Sequence, residues 1–347
     1  MTSPLLALPG AVPADAPDTG VAWHLGDPLR ESRRLATEVG WVDRSHRGVL
    51  RVTGPERLSW LHSLVSQHVS ELPDNRATEA LVLDPNGRVE HHLQVAHAGA
   101  AVWLDVEPAT ADALLAWLLR MRFWAAVEVT AEPVAVLSLV GPRTPDVLAA
   151  VGLAVPPAVH DVAVSEDVLV RRMPWPGPDA ADLLVPAGKL SEWAARLTAA
   201  GAPPAGTWAF EALRVEARVP RLGLDTDHKT IPHEVGWIGP AVHLHKGCYR
   251  GQETVARVQN LGRPPRRLVL LHVDGSEDVL PAHGAPVEVE GRAVGFVGTV
   301  ARHWELGPIA LAIVKRQVPD DAALVVGSVA ASIESVVDPA SLVAPSP

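Results

Sequence analysis

Apolar residues recur along this chain with two periods, and the switching between them predicts a mixed α and β protein. The segment Gly48-Val-Leu-Arg-Val-Thr53 alternates as a strand, Gly54-Pro55 punctuates it, and Leu58, Leu61, Val65, Val69 and Leu72 then follow at helical spacing. Residues 81–83 and 89–95 flank Asp84-Pro85-Asn86-Gly87, where Asn-Gly supplies the positive backbone angles of a tight hairpin. The spacing of Leu114, Leu115, Leu118 and Leu119 predicts a helix over 110–121, with Thr110 as its cap, and 134–140 reads as a strand that ends at Gly141-Pro142. Pro174, Pro176 and Pro178 mark a loop, and helices fit 190–200 and 207–217. From about Arg263 the pattern turns to short β segments (267–273, 287–290 and 294–300) between Gly and Pro signals, which predicts a small C-terminal barrel or sandwich. Residues 1–20 and 339–347 offer little to offset the entropy of ordering and read as unstructured ends.

Composition narrows the function classes. With 347 residues and 48% apolar content, the chain can bury cores for two or three domains without disulfides or metals. The formal charge of -10 argues against a general grip on nucleic acid. The N-terminus lacks the basic start and apolar core of a secretory signal, and no apolar run is long enough to span a bilayer, so a cytoplasmic protein without membrane contact is expected. The one cysteine, Cys248, can form no intramolecular disulfide, nor can it alone supply the four thiolates that usually hold an iron-sulfur cluster.

Two positions invite chemistry. Cys248 lies between Lys246 and Arg250 and between Gly247 and Gly251, a setting in which cations could favour the thiolate; a buried, inert thiol is the competing reading. In the helix expected over 207–217, Glu216 stacks on Ala209, Ala212 and Leu213, which predicts a carboxylate on an apolar face. Its partner there is either a basic side chain or a ligand with a two-donor edge, such as a pterin. Glu211, Arg214 and Arg218 form another stripe, read as a solvated ion-pair face. His91-His92 and His243-Leu-His245 lack the acidic or cysteine spacing that would support a metal site, so none is predicted. No P-loop, dinucleotide fingerprint or Gly-x-Ser-x-Gly elbow is present.

The string Lys246-Gly247-Cys248-Tyr249-Arg250-Gly251-Gln252-Glu253 resembles the signature of YgfZ-type proteins. With Phe210-Glu-Ala-Leu-Arg-Val-Glu216-Ala217, Thr230-Ile-Pro232-His-Glu234-Val-Gly236, Val42-Asp43-Arg44-Ser45, Val52-Thr-Gly54-Pro and Gly87-Arg-Val-Glu90, it resembles the family that joins these proteins to the glycine cleavage T-protein and to mitochondrial iron-sulfur assembly factors. The resemblance implies an α+β fold, with two interlocked folate-binding lobes around a central cavity followed by a small C-terminal β-barrel domain. It places the folate core at 21–262, split near 135, and the barrel at 263–338. It implies tetrahydrofolate or a derivative as cofactor, Glu216 as the pterin-holding carboxylate, and Glu234 and Trp237 as further pocket residues. The function it implies is that of an accessory protein for iron-sulfur cluster assembly or repair in client enzymes, tRNA-modifying ones among them. In that role Cys248 serves as a redox or transfer thiol, with client proteins or assembly factors as partners. A tetrahydrofolate-dependent one-carbon transferase of the aminomethyl type is the alternative. Against the transferase stands a departure from the T-protein pattern, because Glu90-His91 occupies what look like the positions of its Asp-Asp pair.

Overall fold

A computed structural model describes residues 2–165, 167–177, 179–276 and 278–335. They form two compact units that interleave along the chain. The first comprises Met1–His62, His68–Glu79 and His91–Leu213; the second comprises Ser63–Gln67, Ala80–Glu90 and the chain from Arg214 onward.

The first unit holds a six-stranded sheet in the order Val162–Ser165, Val168–Arg172, Ala181–Pro186, Val134–Val140, Gly40–Asp43 and Pro204–Ala205. All neighbours are antiparallel except the last pair, where Pro204 lies beside Trp41 in parallel register. Apolar residues of this sheet, including Trp41, Leu137, Leu139, Val170 and Leu183, pack with Trp193 and Leu197 of helix Leu190–Ala199 in one buried cluster. A five-stranded sheet runs in the order Arg76–Leu83, Val89–Ala98, Ala101–Val106, Gly48–Thr53 and Glu128–Ala131. Its alternation is visible in the register, with Leu50 opposite Leu104 and Val52 opposite Val102. Strands Arg76–Leu83 and Val89–Ala98 pass from one unit into the other, so the predicted hairpin turn belongs to the second.

A buried network of charge joins the two sheets of the first unit. Arg171 lies 2.7 Å from Asp182 on its own sheet and 2.7 Å from Asp105 on the other. Arg47 also reaches Asp105 at 2.7 Å, and Arg44 donates to Ser138, whose hydroxyl donates in turn to Asp182.

The first 20 residues correct the expectation of an unstructured end. Leu5 is buried in the same cluster as Trp41, Pro4–Ala7 forms a short 3-10 helix, and the Ser3 hydroxyl donates to buried Asp43. Apolar burial and a satisfied polar pair offset the entropy that composition alone suggested would prevail. The expected C-terminal tail at 339–347 lies outside the described residues.

In the second unit, six strands close into a barrel: Arg266–Val273, Gly307–Lys315, Arg292–His303, Pro286–Val289, Leu324–Val326 and Val329–Ser335, the last pairing with the first. Closure removes the free strand edges. A register shift between Val297 and Val300 releases Gly298-Thr299 toward Asp225, whose carboxylate accepts from the Thr299 amide at 2.7 Å, from the Arg221 amide at 2.8 Å and from Arg214 at 2.8 Å. Gly298 is required at this bulge, because a Cβ there would lie 2.3 Å from the Asp225 carboxylate.

This arrangement overturns the face assignment of helix Thr207–Glu216. Arg214 is fully buried, Glu211 is 5% exposed and Glu216 is exposed, the reverse of the expected pattern. Ala209, Phe210, Ala212, Leu213 and Val215 are buried too, so the helix is enclosed along most of its length, with Trp208 half-buried in its first turn and Glu216 exposed at its end. Arg218, the third member of the supposed solvated face, pairs with Glu334.

Asp225→Ala leaves Arg214 buried without its carboxylate and is expected to lower stability by about 3–5 kcal/mol. Urea denaturation with a spectroscopic probe of the barrel checks this, and an unchanged midpoint would mean that Arg214 is solvated.

Candidate functional site

The hairpin turn and the Cys248 segment meet in the second unit through backbone geometry. Asp84 organises the turn by accepting from the amides of Asn86 and Arg88, each at 2.8 Å. Gly251 opens helix Gln252–Leu261 with φ of 83°, and a Cβ there would stand 2.5 Å from the Asp84 carbonyl oxygen. On the other side, a Cβ at Gly87 would lie 2.8 Å from that of Thr254. The two glycines therefore permit a turn and a helix start to touch backbone to backbone.

Lys246 and Tyr249 of the Cys248 segment turn inward, while Gly247, Cys248 and Arg250 are exposed. Lys246 is buried, and its ammonium donates to the carbonyls of Val65 and Gln67 and lies 5.3 Å from the ring of Tyr249. Burial lowers its pKa to about 8 and raises that of the enclosed Tyr249 to about 12. Arg250 points outward and meets Glu90 at 2.9 Å, with both side chains well exposed. Cys248 lies exposed between them. The reading of a buried thiol is thus corrected, and so is the picture of two cations serving the sulfur. Lys246 is committed to main-chain carbonyls and Arg250 to Glu90.

The residues named for folate are placed differently from one another. Glu234, in the turn Pro232–Val235, is 1% exposed and gives both carboxylate oxygens to Arg266 at 2.8 Å. Its Oε2 also accepts from the amide of Ile231. The same guanidinium grips Asp227 and holds that carboxyl below its usual range against the opposing effect of burial. Trp237 is buried at 3% exposure. Neither Glu234 nor Trp237 offers an accessible edge to a ligand. Glu216 does, because its side chain is 45% exposed with one oxygen 3.1 Å from His303 Nε2. This carboxylate suits a ligand with two adjacent N–H donors, although it sits at the helix end and not on the apolar face expected of it.

At the departure from the T-protein pattern, Glu90 is exposed whereas His91 is buried, and burial lowers the His91 pKa to about 4. His92 pairs with Glu79 at 2.7 Å. His243 and His245 lie edge to face with ring centres 6.2 Å apart.

One group went unread in the sequence. In the first unit, Trp175 packs on Phe210 at 5.2 Å, the Arg44 guanidinium sits 4.5 Å from the Phe210 ring centre, and the Trp175 indole N–H is buried without an acceptor among the described residues. The sequence signalled only a Pro-rich loop there, and the aromatic grouping depends on long-range packing.

Two expectations follow. Gly251→Ala forces a side chain into a left-handed position against the Asp84 carbonyl and should cost at least about 1–2 kcal/mol, read as a lowered urea midpoint. His91 is neutral when folded down to about pH 4 but protonates near 6.5 when unfolded, so its contribution is complete above pH 6.5 and is lost as pH falls through 4. A His91→Leu variant should flatten the fall of Tm between pH 6.5 and 4, with His233, whose pKa is likewise lowered to about 4, retaining its own share. An unaltered slope would show His91 to be solvated.

The chain matches the model of the GCVT N-terminal domain over residues 26–246. An aminomethyltransferase of Bordetella petrii is 31% identical over 222 residues, an alignment covering 61% of each chain, so this chain spans less than two thirds of that relative. Coverage is greater with the aminomethyltransferase of Parasynechococcus marenigrum, 30% identical over 305 residues and 82% of each chain. A putative chloroplastic transferase of Arabidopsis thaliana is 26% identical over 73% of this chain and 60% of its own. The glycine cleavage system aminomethyltransferase T of Bartonella henselae superposes with a TM-score of 0.86 over 96% of this chain and 95% of its own, at 20% identity, and so shares the fold. On the extent of the domain match and of the alignment to the Parasynechococcus protein, the chain belongs to the GCVT N-terminal domain family.

Proposed function

We propose that the protein binds tetrahydrofolate or a derivative and acts as a one-carbon transferase of the aminomethyl type. Relatives named aminomethyltransferase support this reading, and the observation that carries it in this chain is Glu90. Its carboxylate is exposed just after the hairpin, where the T-protein pattern places acidic residues, and Arg250 orients it at 2.9 Å. A fixed, ionised carboxylate can hold the amine of a small substrate. Glu216 is the proposed folate contact.

Titration with tetrahydrofolate should show saturable binding that weakens about tenfold or more in Glu216→Ala. Transfer of the methylene carbon of a small aminomethyl thioether to tetrahydrofolate, with release of ammonia and the free thiol, should fall by about a hundredfold in Glu90→Gln while folate affinity is kept. Folate binding without any such transfer would defeat the transferase, and no folate binding would defeat the whole reading.

The exposed Cys248 favours a second reading, a YgfZ-type accessory role in iron-sulfur cluster assembly or repair for client enzymes, including those that modify tRNA. Buried Lys246 and Tyr249 fix the segment that presents the thiol. With no second cysteine in the chain, any cluster it served would need ligands from a partner. Cells carrying Cys248→Ser should then lose cluster-dependent enzyme activity under oxidative stress, and unaltered activity would remove the thiol from the function.

A further inference from the structure

A cleft of about 430 Å³ opens within the first unit, away from the Cys248 segment in sequence and in the set of residues that forms it. Its walls come from both sheets: Arg51, Ala101 and Trp103 from one, and Val134, Val164, Val168, Leu169 and Leu184 from the other. Leu169 and Leu184 belong to a buried apolar cluster against which Ala98, Trp103 and Val134 pack, so the floor is a piece of core left uncovered. Ala98, Ala100 and Ala101, at the turn between strands Val89–Ala98 and Ala101–Val106, leave room where larger side chains would have filled it. The volume lies within the range of roughly 300–1,000 Å³ typical of small-molecule sites.

The charges on the lining are unequal. Asp167 is matched by Lys189 at 2.7 Å. Arg51 is not matched in this way. Its Nε is buried without an acceptor among the described residues, and the carboxylate paired with its guanidinium, Glu132, stands 4.0 Å away with that oxygen already accepting from the Thr130 hydroxyl at 2.6 Å. The Arg51 guanidinium lies 5.5 Å from the centre of the Trp103 ring, which orients it beside an aromatic surface. The Arg51 side chain is 42% exposed, so its terminal N–H groups can donate charge-assisted hydrogen bonds to a carboxylate arriving from outside the chain.

We propose that this cleft binds a small monocarboxylate with an aromatic or branched apolar body, the carboxylate on Arg51 and the body against Trp103, Leu169 and Leu184. Charge complementarity selects the acid, and the apolar floor selects the rest of the molecule. The site is separate from the folate reading and does not depend on it.

Calorimetric titration of the full chain with 4-phenylbutyrate, and with the neutral 4-phenylbutanamide as control, tests the proposal. The acid should bind saturably and the amide at least about tenfold more weakly; Arg51→Gln should weaken the acid by a similar factor and leave the amide unchanged. Ala98→Leu, which fills the cleft without touching the charge, should remove binding of both. Circular dichroism establishes that each variant is folded, and Arg51→Lys, which retains the charge, should recover part of the affinity if either larger change perturbs the fold. Equal affinity for acid and amide, full affinity in both Arg51→Gln and Ala98→Leu, or no saturable binding by the wild type overturns the assignment. So does displacement of 4-phenylbutyrate by tetrahydrofolate, which would merge this site with the folate site.

Discussion

Each unit is organised around arginines taken out of water and matched to carboxylates. In the first, Arg171 is 1% exposed and bridges Asp105 and Asp182, which lie on different sheets, so one guanidinium fixes the sheet-to-sheet arrangement. Burial alone would raise the Asp105 pKa, but Arg171, Arg47 and Arg44 together hold it at about 2. The cations bear a corresponding cost: burial and the nearby Arg47 push Arg44 down to about 10. In the second unit the same device recurs at Arg214 with Asp225 and at Arg266 with Asp227 and Glu234. Such pairs contribute little net stability relative to apolar residues of equal volume, whereas losing one partner is severe. Their effect is therefore on geometry, since a slipped register would leave a buried charge unmatched.

How much of this was legible in the sequence depended on the range of the interactions concerned. The turn at Asn86-Gly87 is written in local chemistry and the hairpin lies where it was expected, although only Gly87 takes a positive φ, of 77°, and Asn86 does not. The β texture after Arg263 likewise announced the barrel, although barrel and sandwich could not be separated without knowing that strand Arg266–Val273 pairs with Val329–Ser335. Helix Thr207–Glu216 was legible as a helix but not in its orientation. An enclosed helix presents no polar face, and the partner that makes Arg214 tolerable, Asp225, owes its position to a bulge in a barrel strand far along the chain. The N-terminal residues misled for a similar reason, because Leu5 and Ser3 find their partners around Trp41 and at Asp43.

The Cys248 segment shows how one motif can serve two purposes. Lys246, Tyr249 and Gly251 face inward or touch backbone, and their chemistry is spent on anchoring the loop and seating the hairpin turn. Cys248 and Arg250, left outside, are the positions free to meet another molecule or to position Glu90. Sequence proximity alone suggested that Lys246 would act on the thiol. Lys246 turns inward to the carbonyls of Val65 and Gln67 while Cys248 stays outside, which removes the simplest electrostatic account of an activated cysteine and leaves exposure as its functional credential.

Alternation also accounts for Glu90 and His91. In strand Val89–Ala98 the first of these residues faces water and the second faces the interior, so two acids here would meet opposite environments. A carboxylate at the inner position would need a buried cation or a raised pKa. Histidine avoids both requirements, because desolvation simply leaves it neutral. The departure from an acidic pair is thus coherent with burial at this position: the chain keeps one accessible charge, on Glu90, and closes the other position with a neutral ring. Any chemistry that needs an ionised group here has one carboxylate to draw on, already oriented by Arg250.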